Sequence, residues 1–150
     1  MAGAKPPDPL ELANELRPVW LRVARELRRE SHAFGLTASQ VTLLATIREH
    51  PGIGVRKLAT LEGVSAPNIS TQVRRLERAG LVTREQLADG RRVGLHVTPE
   101  ALGVIQSVRS RRTAWLAERL RRLDGAELTA IEATLEPLRR LLEDDPPDPG

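Results

Sequence analysis

Ser65-Ala66-Pro67-Asn68-Ile69-Ser70-Thr71-Gln72-Val73-Arg74-Arg75-Leu76-Glu77-Arg78-Ala79-Gly80 runs directly into Leu81-Val82-Thr83-Arg84 and, past Asp89-Gly90-Arg91-Arg92, into Val93-Gly94-Leu95-His96-Val97. The first half has helical periodicity. At about 100° per residue Ile69, Val73 and Leu76 fall within roughly 60° of one another and share a buried face. The opposite side carries Pro67, Thr71, Arg74 and Arg78, flanked by Asn68, Ser70 and Arg75. Ser65 is expected to cap this helix, Pro67 falls in a first turn whose amides have no intrahelical partner, and Gly80 ends it. The second half alternates. Val93, Leu95 and Val97 read as a half-buried strand, and Asp89-Gly90 is a hairpin-turn signal. A recognition helix followed at once by a basic two-stranded wing is the reading that decides the fold.

That pairing points to duplex DNA. Short hydroxyl and amide side chains near the helix start (Ser65, Asn68, Ser70, Thr71) can approach base edges, while Arg74, Arg75 and Arg78 reach guanine or phosphate. The helix N-terminus itself favours a phosphate. Arg91 and Arg92 at the wing tip are placed to enter a minor groove or to clamp phosphate. Asp89 is expected to hold the fork of Arg91 in a bidentate pair, ordering that side chain before it binds. An amphipathic helix alone could equally be a solvated face, and Asp89-Gly90 could simply make a soluble turn. The adjacency of helix and wing is what favours the nucleic-acid reading.

Composition narrows the alternatives. At 150 residues the chain is long enough for one domain with a real core, and with 29% charged and 40% apolar residues it is globular. Trp20, Phe34 and Trp115 are its only aromatics, so the core must be aliphatic. There is no cysteine, which excludes disulfides, thiolate metal sites and a cysteine redox switch. His32, His50 and His96 sit on different elements and offer no metal-spaced pair; neither a metal nor a cofactor is expected. A phosphate-binding Gly loop and a Ser or Cys nucleophile motif are also missing, so the chain does not read as an enzyme. No apolar run reaches membrane-spanning length and Met1 to Pro9 lacks a signal-peptide core, so the cytoplasm is the expected compartment and a membrane is not an expected partner. Between Val55 and Leu95 eight basic residues face four acidic ones, a local excess above the modest net charge of +3. Of the 23 basic residues 21 are Arg, which suits phosphate and guanine, although a high-GC genome gives the same bias.

The remaining segments frame this centre. Leu12, Leu16, Val19, Val23 and Leu27 predict an amphipathic helix over about residues 10–31, in which Pro18 either makes a bend or marks the true first turn. Thr37-Ala38-Ser39-Gln40 is a capping box opening a second helix, with Val41, Leu44 and Ile47 as its buried stripe. Val55 to Leu61 predicts a short third helix and Glu62-Gly63-Val64 a turn. Thr98-Pro99-Glu100 opens a fifth helix carrying Leu102, Ile105, Val108, Leu116 and Leu120. Asp124-Gly125 separates it from a sixth carrying Leu128, Ile131, Leu135, Leu138 and Leu142. The expected class is mainly α with a small β-wing. The expected organisation is a tail at 1–9, a single domain at 10–143 and a tail at 144–150. Within the domain, 36–98 forms the winged helix-turn-helix, and 10–35 with 99–143 forms a helical dimerisation region.

At these residues the chain resembles the MarR family of bacterial transcriptional regulators. The resemblance rests on Leu36 to Gln40, on Leu58-Ala59 with Val64-Ser65 around the turn, and on Leu76-Glu77-Arg78-Ala79-Gly80-Leu81-Val82. Asp89-Gly90-Arg91 and Val97-Thr98-Pro99-Glu100 complete it. Val97 departs from the family's usual Leu, and Ala101 or Leu102 from its usual Gly, with Gly103 close by. The resemblance implies a homodimer whose first and last helices interlock, binding a pseudo-palindromic double-stranded operator as a repressor. It also implies a small, anionic or aromatic effector that releases DNA, for which Trp20, His32 and Trp115 are the candidate lining residues. Each of these three equally suits simple packing on an apolar stripe. Two rival readings come from other classes: a winged-helix module that binds protein, and an architectural DNA binder without sequence preference.

Overall fold

In the computed structural model of the chain, which describes residues 6–142, the elements follow in the expected order. They are α1 (Pro9–Arg29), a 3-10 helix (Glu30–Phe34), α2 (Ala38–Glu49), α3 (Val55–Glu62), α4 (Ala66–Arg78), β1 (Val82–Gln86), β2 (Val93–Val97), α5 (Pro99–Leu120) and α6 (Gly125–Arg140). Residues 1–5 and 143–150, which hold most of the two expected tails, lie outside the described residues.

Caps set the boundaries. The Asp8 carboxylate accepts the amides of Leu10 at 2.9 Å and Glu11 at 3.1 Å, and Pro9 occupies the first helical turn. Pro18 therefore lies inside α1 and does not mark its start. The helix ends at Arg29, two residues short of the expected boundary, because the chain tightens into the 3-10 turn. The Thr37–Gln40 capping box forms as read, with the Gln40 amide donating to Thr37 Oγ1 at 3.2 Å and the Thr37 amide to Gln40 Oε1 at 2.9 Å. A second box, between Asp124 and Glu127, opens α6. That helix stops at Arg140, leaving Leu142 beyond the stripe it was expected to complete.

The chain divides at Arg112 into two compact units, with α5 beginning in one and ending in the other. The first unit holds the aliphatic core: Leu44 and Ile47 of α2, Leu58 of α3, Ile69, Val73 and Leu76 of α4, Leu95 of β2 and Ala101 of α5 are fully buried. Each of the larger side chains contributes on the order of 1.5–3 kcal/mol by leaving water. Leu102, expected on the buried stripe of α5, is exposed; Ala101, Ile105 and Val108 make that face instead. Also in this unit, Arg112 donates to the buried Ser31 hydroxyl at 2.6 Å and to the Leu27 carbonyl at 3.2 Å, tying the end of α1 to α5. α1 buries none of its residues and leaves Leu10, Val19 and Leu21 exposed. In the second unit α6 likewise buries none, with Leu128, Ile131 and Leu135 exposed.

The wing pairs antiparallel from Val82↔Val97 to Gln86↔Val93, so β1 reaches two residues beyond the expected Arg84. Its base is held by a third segment. Leu95 bridges Ile53 in the α2–α3 connection: the Gly52 amide donates to the Leu95 carbonyl and the Leu95 amide to the Ile53 carbonyl, both at 2.9 Å. Gly94 makes this approach possible, because a Cβ there would lie 2.7 Å from the Gly52 Cα and carbonyl oxygen and 2.8 Å from Leu87 Cδ2. Val93, expected to be half-buried, is 44% exposed; burial of the strand begins at Gly94, where this bridge starts.

Gly94→Ala is therefore expected to cost about 1–3 kcal/mol of stability through backbone displacement. Gly103→Ala, in the open interior of α5, is expected to be neutral or to stabilise by about 0.5–1 kcal/mol. Thermal unfolding followed by circular dichroism checks the pair, and equal melting temperatures for the two variants would contradict the close-contact account.

Candidate nucleic-acid interface

α4 presents two faces. Ile69, Val73 and Leu76 point into the core at 0% exposure, and Pro67, Thr71, Arg74 and Arg78 form an exposed stripe on the other side. Asn68 and Arg75 are exposed beside it and Ser70 is half-buried. Ser65 occupies the N-cap position, but its hydroxyl makes no capping bond. The expectation of a capping hydroxyl is thus corrected: the first-turn amides and the Ser65 side chain are both uncommitted. Thr71 donates to the Pro67 carbonyl at 3.1 Å, and Arg74 Nη2 lies 3.5 Å from Thr71 Oγ1.

The arginines fall into two groups. Arg84 of β1 is held by Glu77 of α4 at 2.8 Å, bracing the wing against the helix. Arg92 is held by Asp89 at 2.7 Å. Among the described residues Arg74, Arg75, Arg78 and Arg91 have no carboxylate within ion-pair distance. All four are exposed.

The wing tip differs from the expectation in one respect. Asp89 pairs with Arg92, not with the fork of Arg91. Its Oδ1 accepts the Arg91 and Arg92 amides, both at 3.1 Å, and this turn aims Oδ2 at Arg92 Nε. The loop is also longer than a two-residue hairpin. The Leu87 amide donates to the Arg92 carbonyl and the Gly90 amide to the Leu87 carbonyl, both at 2.8 Å, with Gly90 in the left-handed region at φ 66°. The Arg92 guanidinium, then the Arg91 and Arg92 amides, hold the Asp89 carboxyl below its ordinary 3.8.

Two features of the site were absent from the sequence reading. Ser39 of α2 donates to Gln72 Oε1 at 3.2 Å, and Gln72 Nε2 donates to Asn68 Oδ1 at 3.0 Å, linking α2 to the first turn of α4. The i, i+4 spacing of Asn68 and Gln72 was visible in the chain, but Ser39 is 33 residues from Gln72. The second feature is a depression of about 840 Å³ at the wing root, lined by Arg56, Lys57, Arg84 and Arg92 with His50 and the Gly52–Gly54 backbone among others. Trp20, His32 and Trp115 do not line it. Trp20 and His32 are exposed in the first unit; Trp115, in the second, is half-buried with the Arg119 guanidinium 3.5 Å from its ring centroid.

Comparison with known proteins gives this geometry its context. The MarR family model matches residues 36–93, the span from the start of α2 to the wing's returning strand. The likeness to transcriptional regulators extends beyond that span. The HTH-type transcriptional regulator MT0903.1 of Mycobacterium tuberculosis is 27% identical over 136 residues, covering 90% of this chain and 95% of that one. A crystal structure from Pseudomonas aeruginosa is 29% identical with a TM-score of 0.78, covering 93% of this chain and 100% of that chain. A mutant of Staphylococcus aureus MepR bound to an oligodeoxyribonucleotide shares the fold at a TM-score of 0.69 and 18% identity, covering 88% and 98%. By these comparisons the chain is similar to the MarR family model over residues 36–93 and to HTH-type transcriptional regulators over most of its length, and it shares their winged-helix fold. No helix among the described residues is long and apolar enough to cross a membrane.

The Asp89 turn carries a pH signature. Its lowered carboxyl contributes to wing-tip order in full above the ordinary 3.8, and the contribution disappears as pH falls through the lower folded value. A carbon-detected NMR titration is expected to place the Asp89 midpoint below 3.8, and Arg92→Ala to move it upward. A midpoint unmoved by Arg92→Ala would contradict the pairing.

Proposed function

We propose that the chain is a sequence-specific double-stranded DNA-binding repressor that acts in the cytoplasm as a homodimer. In this reading α4 enters the major groove. Ser65, Pro67, Asn68, Ser70 and Thr71 approach base edges, and Arg74, Arg75 and Arg78 reach guanine or phosphate. Arg91 and Arg92 serve the flanking groove, with Asp89 ordering the loop between them and the strand. The observation that carries the reading is the set of exposed cations without carboxylate partners, Arg74, Arg75, Arg78 and Arg91, on one recognition helix and its wing. A winged helix that binds protein is expected to lack such a set. The oligonucleotide bound by the MepR mutant supports the same use of this fold.

The exposed apolar residues of α1 and of α6 support dimerisation, since stripes of that kind are rarely left in water. A two-fold dimer binds a pseudo-palindromic operator with half-sites roughly 34–36 Å apart. A small anionic or aromatic effector is the proposed means of release.

Selection from random duplexes identifies the operator, and two substitutions then test the assignment. Arg74→Ala is expected to weaken binding by about 1–3 kcal/mol and to relax preference at one position of each half-site. Arg91→Ala is expected to weaken binding evenly across sequences and to lower the salt slope by about one. A folded Arg91→Ala dimer that binds its operator unchanged would remove the wing from the interface.

A further inference from the structure

We infer that the depression at the wing root is the effector's seat, and that it takes a small organic anion: one carboxylate on a compact apolar body. This rests on the reading above, in which an effector releases DNA, and gives that effector a location and a chemistry. The depression holds about 840 Å³, within the range of about 300–1,000 Å³ that small-molecule sites occupy. Its cations are Arg56, Lys57, Arg84 and Arg92, and no carboxylate is among its lining residues. Arg56 and Lys57 are exposed and have no ion-pair partner among the described residues. Glu77 and Asp89 engage Arg84 and Arg92 through Nε, so both guanidinium groups keep terminal nitrogens for a further acceptor. The same wall brings backbone donors. Gly54 stands at the N-cap of α3 with no side chain to cap it, and the Val55, Arg56 and Lys57 amides have no acceptor among the described residues.

The rest of the lining is apolar. Pro51, Ile53 and Val55 contribute to it from the α2–α3 connection and the start of α3, Leu87 and Val93 from the wing. An inorganic anion would satisfy the cations and leave this apolar surface in water. A neutral apolar molecule would cover the surface but desolvate the cations without giving them an acceptor. A carboxylate on an apolar body meets both halves. Release follows from position. Arg92 lines the depression and is also assigned to the duplex, so a ligand that holds its guanidinium removes a DNA contact and sets a negative charge beside the phosphates. Trp20, His32 and Trp115 do not line the depression and take no part.

The probe is cinnamate, with neutral cinnamamide and inorganic phosphate as controls, added to the isotope-labelled full-length protein while backbone amide shifts are followed by NMR. Cinnamate is expected to shift Gly54, Val55, Arg56, Lys57 and Val93. It is expected to bind about tenfold or more tighter than either control, the scale of one charge-assisted hydrogen bond or one apolar face lost. Replacing Arg56→Ala and Lys57→Ala together is expected to weaken it by about tenfold. Val93→Glu, which adds a negative charge to the exposed wing side of the depression, is expected to abolish binding. All three positions are exposed, and an unshifted melting temperature verifies that the variants fold. On a selected duplex, cinnamate is expected to weaken binding of the native protein about fivefold or more and that of Val93→Glu not at all. The absence of saturable shifts, shifts gathered around Trp20, His32 and Trp115, or phosphate binding as tightly as cinnamate would each overturn the inference. So would binding at the wing root that leaves affinity for the duplex unchanged. A native protein that shows the wing-root shifts yet selects no duplex over random sequence refutes the DNA reading and not the ligand seat.

Discussion

The bridge between Ile53 and Leu95, with Gly94 packed against the Gly52 backbone, is the contact on which the lobe's geometry depends. An isolated two-stranded hairpin is marginal in water. Here the second strand is pinned on its far side by two 2.9 Å backbone hydrogen bonds from the connection that precedes α3. Leu95 enters the core next to this bridge at 0% exposure, in the cluster that also holds Ile69, Val73 and Leu76 of α4. Arg84 and Glu77 add a second brace, and Thr98 a third, its hydroxyl reaching the Gly80 carbonyl at 2.8 Å while accepting the Ala101 amide at 3.2 Å. The wing and the recognition helix are consequently one rigid fitting.

The charges divide along the same lines. Arg84 and Arg92 are engaged with carboxylates and hold protein to protein. Among the described residues Arg74, Arg75, Arg78 and Arg91 have no carboxylate partner, which leaves their charge open to an anion. Exposed ion pairs are worth little to stability, so the paired residues matter for geometry more than for free energy. This separation explains how a lobe with a small net charge still offers a concentrated set of free guanidinium groups on one side.

The parts governed by local chemistry were legible in the chain. The helical spacing of Ile69, Val73 and Leu76, the Thr37–Gln40 box and the basic loop after α4 made the class and the element order readable, because each rests on neighbours within a few residues. Side-chain commitments were not legible. Asp89 lies close to both Arg91 and Arg92, and only the turn that lets one oxygen take two amides decides in favour of Arg92. Ser65 holds the cap position without its bond, a distinction that depends on rotamer and not on residue type. The Gly52–Gly94 approach and the Ser39–Gln72 contact join segments far apart in sequence, where spacing carries no signal. Val93 and Leu102 went astray for a related reason: periodicity tells which face a residue shares, not where the core ends along it.

The measurement that tests the account most directly is fluorescence anisotropy of the intact protein on its selected duplex and on a scrambled duplex, each at low and near-physiological salt. The account predicts two protomers per operator, with a preference of about a thousandfold or more that survives the higher salt. Equal binding to both duplexes that vanishes as salt rises would contradict it, leaving only attraction to the phosphate backbone.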